Sequence, residues 1–328
     1  MNILITGGAG FIGFHLAQLL LKKRNKVFII DNLNNYYDPN LKKQRLEKLN
    51  QIKNEKNCFL KFKKFDITNY KILKNFFKRN KIEIVIHLAA QAGIRYSLRN
   101  PRAYFASNLL GFYNMIELSN LFKIKHFVYA STSSVYGNNK KNYFKEEDNT
   151  DYPLQFYSAT KKSNEIIAHS FSNLYNMKTT GLRLFSVYGP WGRPDMAYYK
   201  FTKKILNKEK LDIFNNGNHL RDLTYISDVV KAIQKISLSK KILSSKSNFY
   251  RIYNLGHGKA VSLMNLIKLI ESNLKLKALK KFTKIQKGDA FKTLCNNKRL
   301  SKEFKINFNT KPSAGIKKFV DWYLKFNK

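Results

Sequence analysis

Tyr157 and Lys161, in the run YSATK, stand one helical turn apart, so a helix over this stretch puts both side chains on one face. A free phenol, with a pKa of about 10, is a poor base at neutral pH. A neighbouring ammonium favours the phenolate and brings the oxygen toward a range useful for taking a proton. The run STSSVYG, residues 131–137, adds small hydroxyl groups able to bond the oxygen being deprotonated. Base, base-tuner and hydroxyl donors together suit proton removal from an alcohol.

A second group of residues suits a phosphate-bearing cofactor. GGAGFIG, residues 7–13, directly follows NILIT. Gly8, Gly10 and Gly13 spell G-x-G-x-x-G, while Gly7, Gly10 and Gly13 spell G-x-x-G-x-x-G. Either spacing lets a strand turn sharply into a helix and lay its backbone against a pyrophosphate. Asp31 closes the next apolar run, KVFIID, where a carboxylate can meet the hydroxyls of an adenosine ribose. It would repel a 2′-phosphate, and Asn32, Leu33 and Asn34 offer no arginine to offset this, so NAD is favoured over NADP. Asp66 and Ile67, behind a third expected strand, are candidates to bracket the adenine.

The elements that must position these groups alternate in type. NILIT (2–6), KVFIID (26–31), FLKFKKFD (59–66), IEIVIHLAA (82–90), HFVYAST (126–132) and TTGLRLFSVYG (179–189) read as strands. The continuous apolar runs among them suit strands covered on both faces. FIGFHLAQLLLKK and NLLGFYNMIELSNLF carry apolar residues at helical spacing. The alternation predicts an α/β fold, a doubly wound parallel sheet of Rossmann type. Regularity breaks at GPWGRPD (189–195), and FYRIYNLG (249–256) reads as a return to the main sheet. The remainder, rich in lysine, predicts a smaller, interwoven C-terminal substrate domain of helices and loops. The expected division gives 1–185 with a returning segment of about 222–257 to the cofactor domain, and 186–221 with 258–328 to the substrate domain.

Composition narrows the function classes. The 328 residues are 44% hydrophobic and 14% aromatic, as in a globular chain able to bury a sizeable core. The net charge of +40 comes from lysines spread along the whole chain, which fits a solvated cationic surface rather than a specific nucleic-acid site. No run reaches the roughly 20 apolar residues of a membrane span. NILIT leading into glycines lacks the layout of a signal peptide. Cys58 and Cys295 form no motif, so reduced thiols and a cytoplasmic location are expected. The six histidines have no ligand spacing, no metal is expected, and His87 inside an apolar run reads as a core residue.

GGAGFIGFHLA, DNLNNYYD, HLAAQAGIRYS, STSSVYG, YSATKK, GLRLFSVYGPWGRPDMA and RDLTYISDVV together resemble the extended short-chain dehydrogenase/reductases. Within that superfamily the chain is similar to the bacterial UDP-glucuronate 4-epimerases, which are isomerases of surface-polysaccharide pathways, and the likeness runs from Met1 to about Trp322. The resemblance selects the G-x-x-G-x-x-G reading. It implies a catalytic trio of Thr132, Tyr157 and Lys161, and NAD contacts at Gly7, Gly10, Phe11, Ile12, Gly13, Asp31, Asn32, Asp66, Ile67, Leu88, Ala89 and Ala90 as well as at Tyr157 and Lys161. For the UDP-sugar it implies Ser133, Ser134 and Ser186 at the carboxylate, with Arg95, Arg193 and Arg221 around the ligand. Arg221 matches a phosphate-binding position. Ser186 is commonly threonine in such enzymes, a departure that keeps the hydroxyl. A homodimer is also implied.

The implied reaction inverts C4 of a UDP-hexuronic acid through a 4-keto sugar. A UDP-glucuronate decarboxylase and a neutral UDP-sugar 4-epimerase are the neighbouring activities. Sugar-nucleotide 4,6-dehydratases carry Asp-Glu after the threonine, and Ser133 and Ser134 cannot take those acid and base roles. A reading from another class, an NAD-bound scaffold or nucleic-acid binder without redox activity, has no need of an intact Thr132, Tyr157 and Lys161.

Overall fold

The computed structural model describes residues 1–284 and 292–327. Six strands alternate with helices through the first part of the chain: β1 (Asn2–Thr6), β2 (Lys26–Asp31), β3 (Leu60–Lys64), β4 (Ile84–His87), β5 (His126–Thr132) and β6 (Thr179–Leu184). Then follow β7 (Ser186–Tyr188), β8 (Lys210–Phe214), β9 (Leu220–Tyr225), β10 (Tyr250–Leu255), β11 (Ala260–Ser262), β12 (Leu279–Thr283) and β13 (Lys292–Thr293).

The main sheet has seven strands in the order β10-β6-β5-β4-β1-β2-β3 and is a parallel, Rossmann-type sheet flanked by helices. β1 pairs in parallel with both β2 and β4, so Ile3 faces Val27 on one side and Ile84 on the other. Ile3, Leu4 and Ile5 are wholly buried because helices cover both faces, which explains the unbroken apolar run. Strand order reverses between β1 and β4. At such a switch point the carboxyl ends of the strands leave a crevice for a ligand.

The predicted return of 249–256 holds, with β10 lying at the sheet edge. Three local expectations need correction. The strand expected over 82–90 stops at His87, where Thr6 Oγ1 bonds His87 Nδ1 at 2.8 Å and receives the Ala89 N–H at 3.2 Å. The strand expected over 179–189 divides, because β7 leaves the main sheet to pair with β9, Ser186 facing Leu223. The helix expected over 108–122 begins as a π-helix, Phe105–Leu110, before the α-helix Gly111–Leu121. In addition, the lysine-rich tail holds short strands besides helices: β12 pairs with β8, and β11 and β13 flank β9.

The chain forms two compact units. The first comprises Met1–Gly137, Asn149–Arg183 and Val230–Tyr253; the second comprises Asn138–Asp148, Leu184–Val229 and Asn254–Lys328. Asn138–Asp148 goes with the second unit, where Phe144 bridges Cys295 and its carbonyl receives the Asn254 side chain at 2.9 Å. β9, whose residues from Asp222 on fall in the stretch of about 222–257 expected for the cofactor domain, also lies in the second unit, held by β7, β11 and β13. Residues 285–291 and 328 of the expected 258–328 segment lie outside the described residues.

Candidate active site

The glycine turn separates the two readings of its motif. Gly7 has a φ of +70°, and a Cβ there would lie 2.8 Å from the Ala89 nitrogen. A Cβ on Gly10 would lie 2.9 Å from the Gly7 carbonyl oxygen, and one on Gly13 only 2.3 Å from it. These three positions are thus closed by backbone meeting backbone, which cannot yield. At Gly8 the atoms nearest a Cβ would be those of the Ile29 side chain. Gly7, Gly10 and Gly13 therefore make the turn, and Gly8 serves packing. Phe11 and Ile12 open the helix Phe11–Lys22, whose N-terminus has no side-chain cap and no acidic residue, as an anion site requires.

Asp31 ends β2, and its carboxylate accepts the N–H of Ala9 at 3.1 Å and of Leu33 at 2.9 Å. Burial raises its pKa, while those bonds and the charges of Lys42 and Arg45 pull it down. Lys42 donates to the Asn34 carbonyl and side-chain oxygens at 2.8 Å each. Arg45, wholly buried, donates to the Ala9 carbonyl at 2.9 Å and the Tyr37 hydroxyl at 2.8 Å. Sequence reading did not single out these two cations. Within LKKQR nothing marks Lys42 and Arg45 as inward and Lys43 as outward.

At the next strand end, Asp66 accepts Asn32 Nδ2 at 2.7 Å and both the N–H and hydroxyl of Thr68. Burial alone would raise its pKa, but these bonds outweigh it and leave the pKa lowered. Ile67 is buried, and Leu88 and Ala89 are bonded to Thr6 beside the glycine turn, with Ala90 next to them. The glycine cradle, the carboxylate at the end of β2 and the switch point together fit a dinucleotide. An Asp31→Ala variant should therefore retain bound NAD about 10- to 100-fold less well, as for a lost charge-assisted hydrogen bond. Measuring NAD per chain after dialysis checks this. Unchanged retention, or equal binding of NADP by the unaltered protein, would overturn the assignment.

The trio is built from two adjoining elements of the first unit. Thr132 ends β5; its hydroxyl receives the Ser134 N–H and donates to the Ser134 hydroxyl, each at 3.2 Å, capping the short turn Ser133–Tyr136. Tyr157 and Lys161 lie on the helix Phe156–Tyr175, started by a capping box of Gln155 and Ser158 and packed against β5 and that turn. The Tyr157 ring stands edge-on to Tyr104 at 6.0 Å, and the Tyr104 hydroxyl is anchored on the carbonyls of Ala92 and Gly93. Lys161 Nζ donates to the Ala130 carbonyl at 3.0 Å, and burial brings its pKa down to about 8. His87 is held neutral, its pKa lowered to about 3 by burial and then by Lys161, as its expected core role requires.

Asn108, in the π-helix, is a residue the sequence pattern did not expose. Its side chain exchanges hydrogen bonds with the Gln91 backbone at 2.8 and 3.0 Å and donates to Thr160 at 3.1 Å, while its carbonyl receives Asn164. It thereby joins the loop behind β4 to the helix that carries Tyr157.

Ser133 and Ser134 are half-buried in the turn behind Thr132, and Arg95 is exposed at the start of the short helix Tyr96–Arg99. The other expected ligand residues belong to the second unit. Ser186 opens β7 opposite Leu223, so the two-residue period of β9 puts Ser186 and Arg221 on one sheet face. Asp222, next to Arg221, is wholly buried and accepts the N–H groups of His257, Gly258 and Cys295, which secures the strand. Arg193 is engaged by both Asp195 oxygens, at 2.9 and 2.5 Å. Among the described residues no cluster of metal ligands occurs, and no helix is long and apolar enough to cross a membrane.

Residues 3–256 match the model of the NAD dependent epimerase/dehydratase family. This chain belongs to that family. As an NAD dependent epimerase/dehydratase, it is 44% identical to Protein CapI of Staphylococcus aureus over the full length of both chains. It is 40% identical to UDP-glucuronate 4-epimerase 4 of Arabidopsis thaliana, over 99% of this chain and 76% of that protein. Its fold matches the UDP-glucuronic acid 4-epimerase of Bacillus cereus, solved with UDP-glucuronic acid and NAD, with a TM-score of 0.90, 31% identity, and coverage of 99% and 100%. The family's cofactor, NAD, is a dinucleotide, the class of ligand that the glycine turn and the Asp31 carboxylate fit.

Proposed function

We propose that this protein is a UDP-glucuronate 4-epimerase, an NAD-dependent isomerase that interconverts UDP-glucuronate and UDP-galacturonate for surface polysaccharide. The observation that carries the reading is the hydroxyl-bearing turn Thr132-Ser133-Ser134 packed against the helix of Tyr157 and Lys161. The likeness to epimerases of the same substrate supports it. When bound, NAD supplies the redox chemistry at C4 of the sugar.

The residues of the chain handle protons and orientation. Tyr157, as phenolate, takes the proton of the 4-hydroxyl and later returns it. Thr132 bonds the same oxygen, and the Lys161 charge favours the phenolate. A sugar oxidised at C4 beside a C5 carboxylate is a β-keto acid and readily loses carbon dioxide. Ser133 and Ser134, in the turn behind Thr132, hold the carboxylate away from the orientation in which that bond breaks. Arg221, on the second unit, takes a phosphate of UDP.

The unaltered protein should interconvert UDP-glucuronate and UDP-galacturonate with little UDP-pentose, and turn over UDP-glucose much more slowly, because its donors would lack their partner. Ser133→Ala with Ser134→Ala should raise the decarboxylated fraction. Chromatography and NMR of the products decide both points. Mainly UDP-pentose would indicate a decarboxylase, and faster turnover of UDP-glucose a neutral-sugar epimerase.

A homodimer belongs to the same reading. Phe105, Leu110, Tyr113 and Leu121 are exposed along the π-helix and the helix Gly111–Leu121. Ile166 and Leu174 are exposed on the helix Phe156–Tyr175 packed beside it. A second copy would cover this apolar surface. The substrate, a nucleotide sugar, and the cofactor, NAD, are metabolites of the cytoplasm, which supports a cytoplasmic location for the reaction.

A further inference from the structure

The helix of Tyr157 and Lys161 carries a third chemically distinctive residue on the same stripe, one further turn along: Glu165. Its side chain is 2% exposed. Oε1 accepts the Ser131 hydroxyl at 2.6 Å and Arg183 Nε at 2.9 Å, and Oε2 accepts Arg183 Nη2 at 2.8 Å. Arg183, on β6 and 4% exposed, then donates Nη1 to the Tyr136 hydroxyl at 2.9 Å and lies 4.8 Å from the Tyr136 ring centre. Burial works against the Arg183 charge, but the bonds to Glu165 and Tyr136 prevail and its pKa is raised.

The pair thus grips both ends of one short segment. Ser131 is the residue before Thr132, and Tyr136 closes the turn that begins at Ser133. Everything between the two grips is Thr132, Ser133, Ser134 and Val135. One residue upstream, the Ala130 carbonyl is held by Lys161. Stability alone gives little reason for such an arrangement, since an apolar pair of similar volume commonly serves a protein interior as well as a buried ion pair or better. A forked guanidinium does what apolar packing cannot: it fixes two directions at once.

We infer that Glu165 and Arg183 are positioning residues, whose ion pair sets the Thr132-Ser133-Ser134 turn at its working distance from Tyr157 and Lys161. The inference rests on the reading of Thr132, Tyr157 and Lys161 as the catalytic trio. Displacement of a catalytic group by an ångström can lower a rate by about 100-fold, so this grip acts on kcat more than on substrate affinity.

Two variants test it. Tyr136→Phe keeps the ring and removes the hydroxyl through which the pair bonds the turn. Glu165→Leu with Arg183→Met replaces the pair by apolar side chains. UDP-glucuronate turnover is measured per folded, NAD-loaded chain, with thermal stability followed in parallel. Tyr136→Phe should lower kcat about 3-fold or more, and the double variant about 10-fold or more, with KM within about 3-fold of the unaltered protein. A kcat within about twofold for a folded double variant would show that the pair only supports the fold and would overturn the inference. Should the double variant fail to fold, an unchanged kcat in Tyr136→Phe overturns it instead. If the unaltered protein leaves UDP-glucuronate unchanged, the proposed function itself falls and this inference with it; activity in the parent with unaffected variants rejects the inference alone.

Discussion

Turnover by a Tyr157→Phe variant is expected to be lower by at least about 100-fold, the effect of losing a general base. Phenylalanine keeps the ring and its edge-on contact with Tyr104, so the start of the helix Phe156–Tyr175 should keep its packing. Gln155 and Ser158, which cap that helix, are untouched. Bound NAD should therefore survive, because the glycine turn and Asp31 are built from other elements. Steady-state rates with UDP-glucuronate, alongside NAD content per chain, check the expectation. Near-normal turnover would place the base elsewhere.

Lys161→Met should lower turnover by a similar factor and at the same time stabilise the protein at neutral pH. Burial brings the Lys161 pKa from 10.5 down to about 8. Below pH 8 both folded and unfolded chains carry the charge, and the folded chain bears the whole penalty of having buried it. Between about pH 8 and 10.5 the unfolded chain binds more protons, so this contribution makes stability rise with pH, and above that window the penalty is gone. Methionine carries no charge but forfeits the bond to the Ala130 carbonyl, leaving a net gain of roughly 1–3 kcal/mol at pH 7. Urea unfolding of both proteins at pH 7 and pH 10, with NAD content matched, measures it. A variant less stable than its parent at pH 7, or a difference that does not shrink by pH 10, would contradict the argument.

Much of the fold could be read from the chain because its determinants are local. The glycine turn, the apolar runs and the single-turn spacing of Tyr157 and Lys161 each specify their geometry within a few residues. Even the choice between Gly7 and Gly8 leaves a physical trace, since a side chain at Gly7, Gly10 or Gly13 would meet backbone first and one at Gly8 the Ile29 side chain. Features set by distant partners were not readable in this way. β7 continues the apolar pattern of β6 without interruption, and only pairing with β9 shows that it has left the sheet. Asn138–Asp148 looks like an ordinary polar loop until Cys295 and Asn254 are seen to hold Phe144. Lys42, Arg45 and Arg183 are three cations among 61 lysines and arginines, and only their burial distinguishes them. The same applies to Asn108, whose partners lie on two distant segments, the loop behind β4 and the helix Phe156–Tyr175.

The gripping of residues 131–136 at Ser131 and Tyr136 has a consequence for the two epimers. A corner tied down in this way cannot follow a ligand as the ligand turns over. In the proposed reaction, Tyr157 would serve both faces of the sugar from the helix packed against this corner, and the moving part would be the substrate. On that proposal the protein presents the same proton acceptor to either epimer, and both directions share one apparatus. The preference between products is left to the sugars themselves, through the equatorial or axial strain of each C4 hydroxyl in free solution.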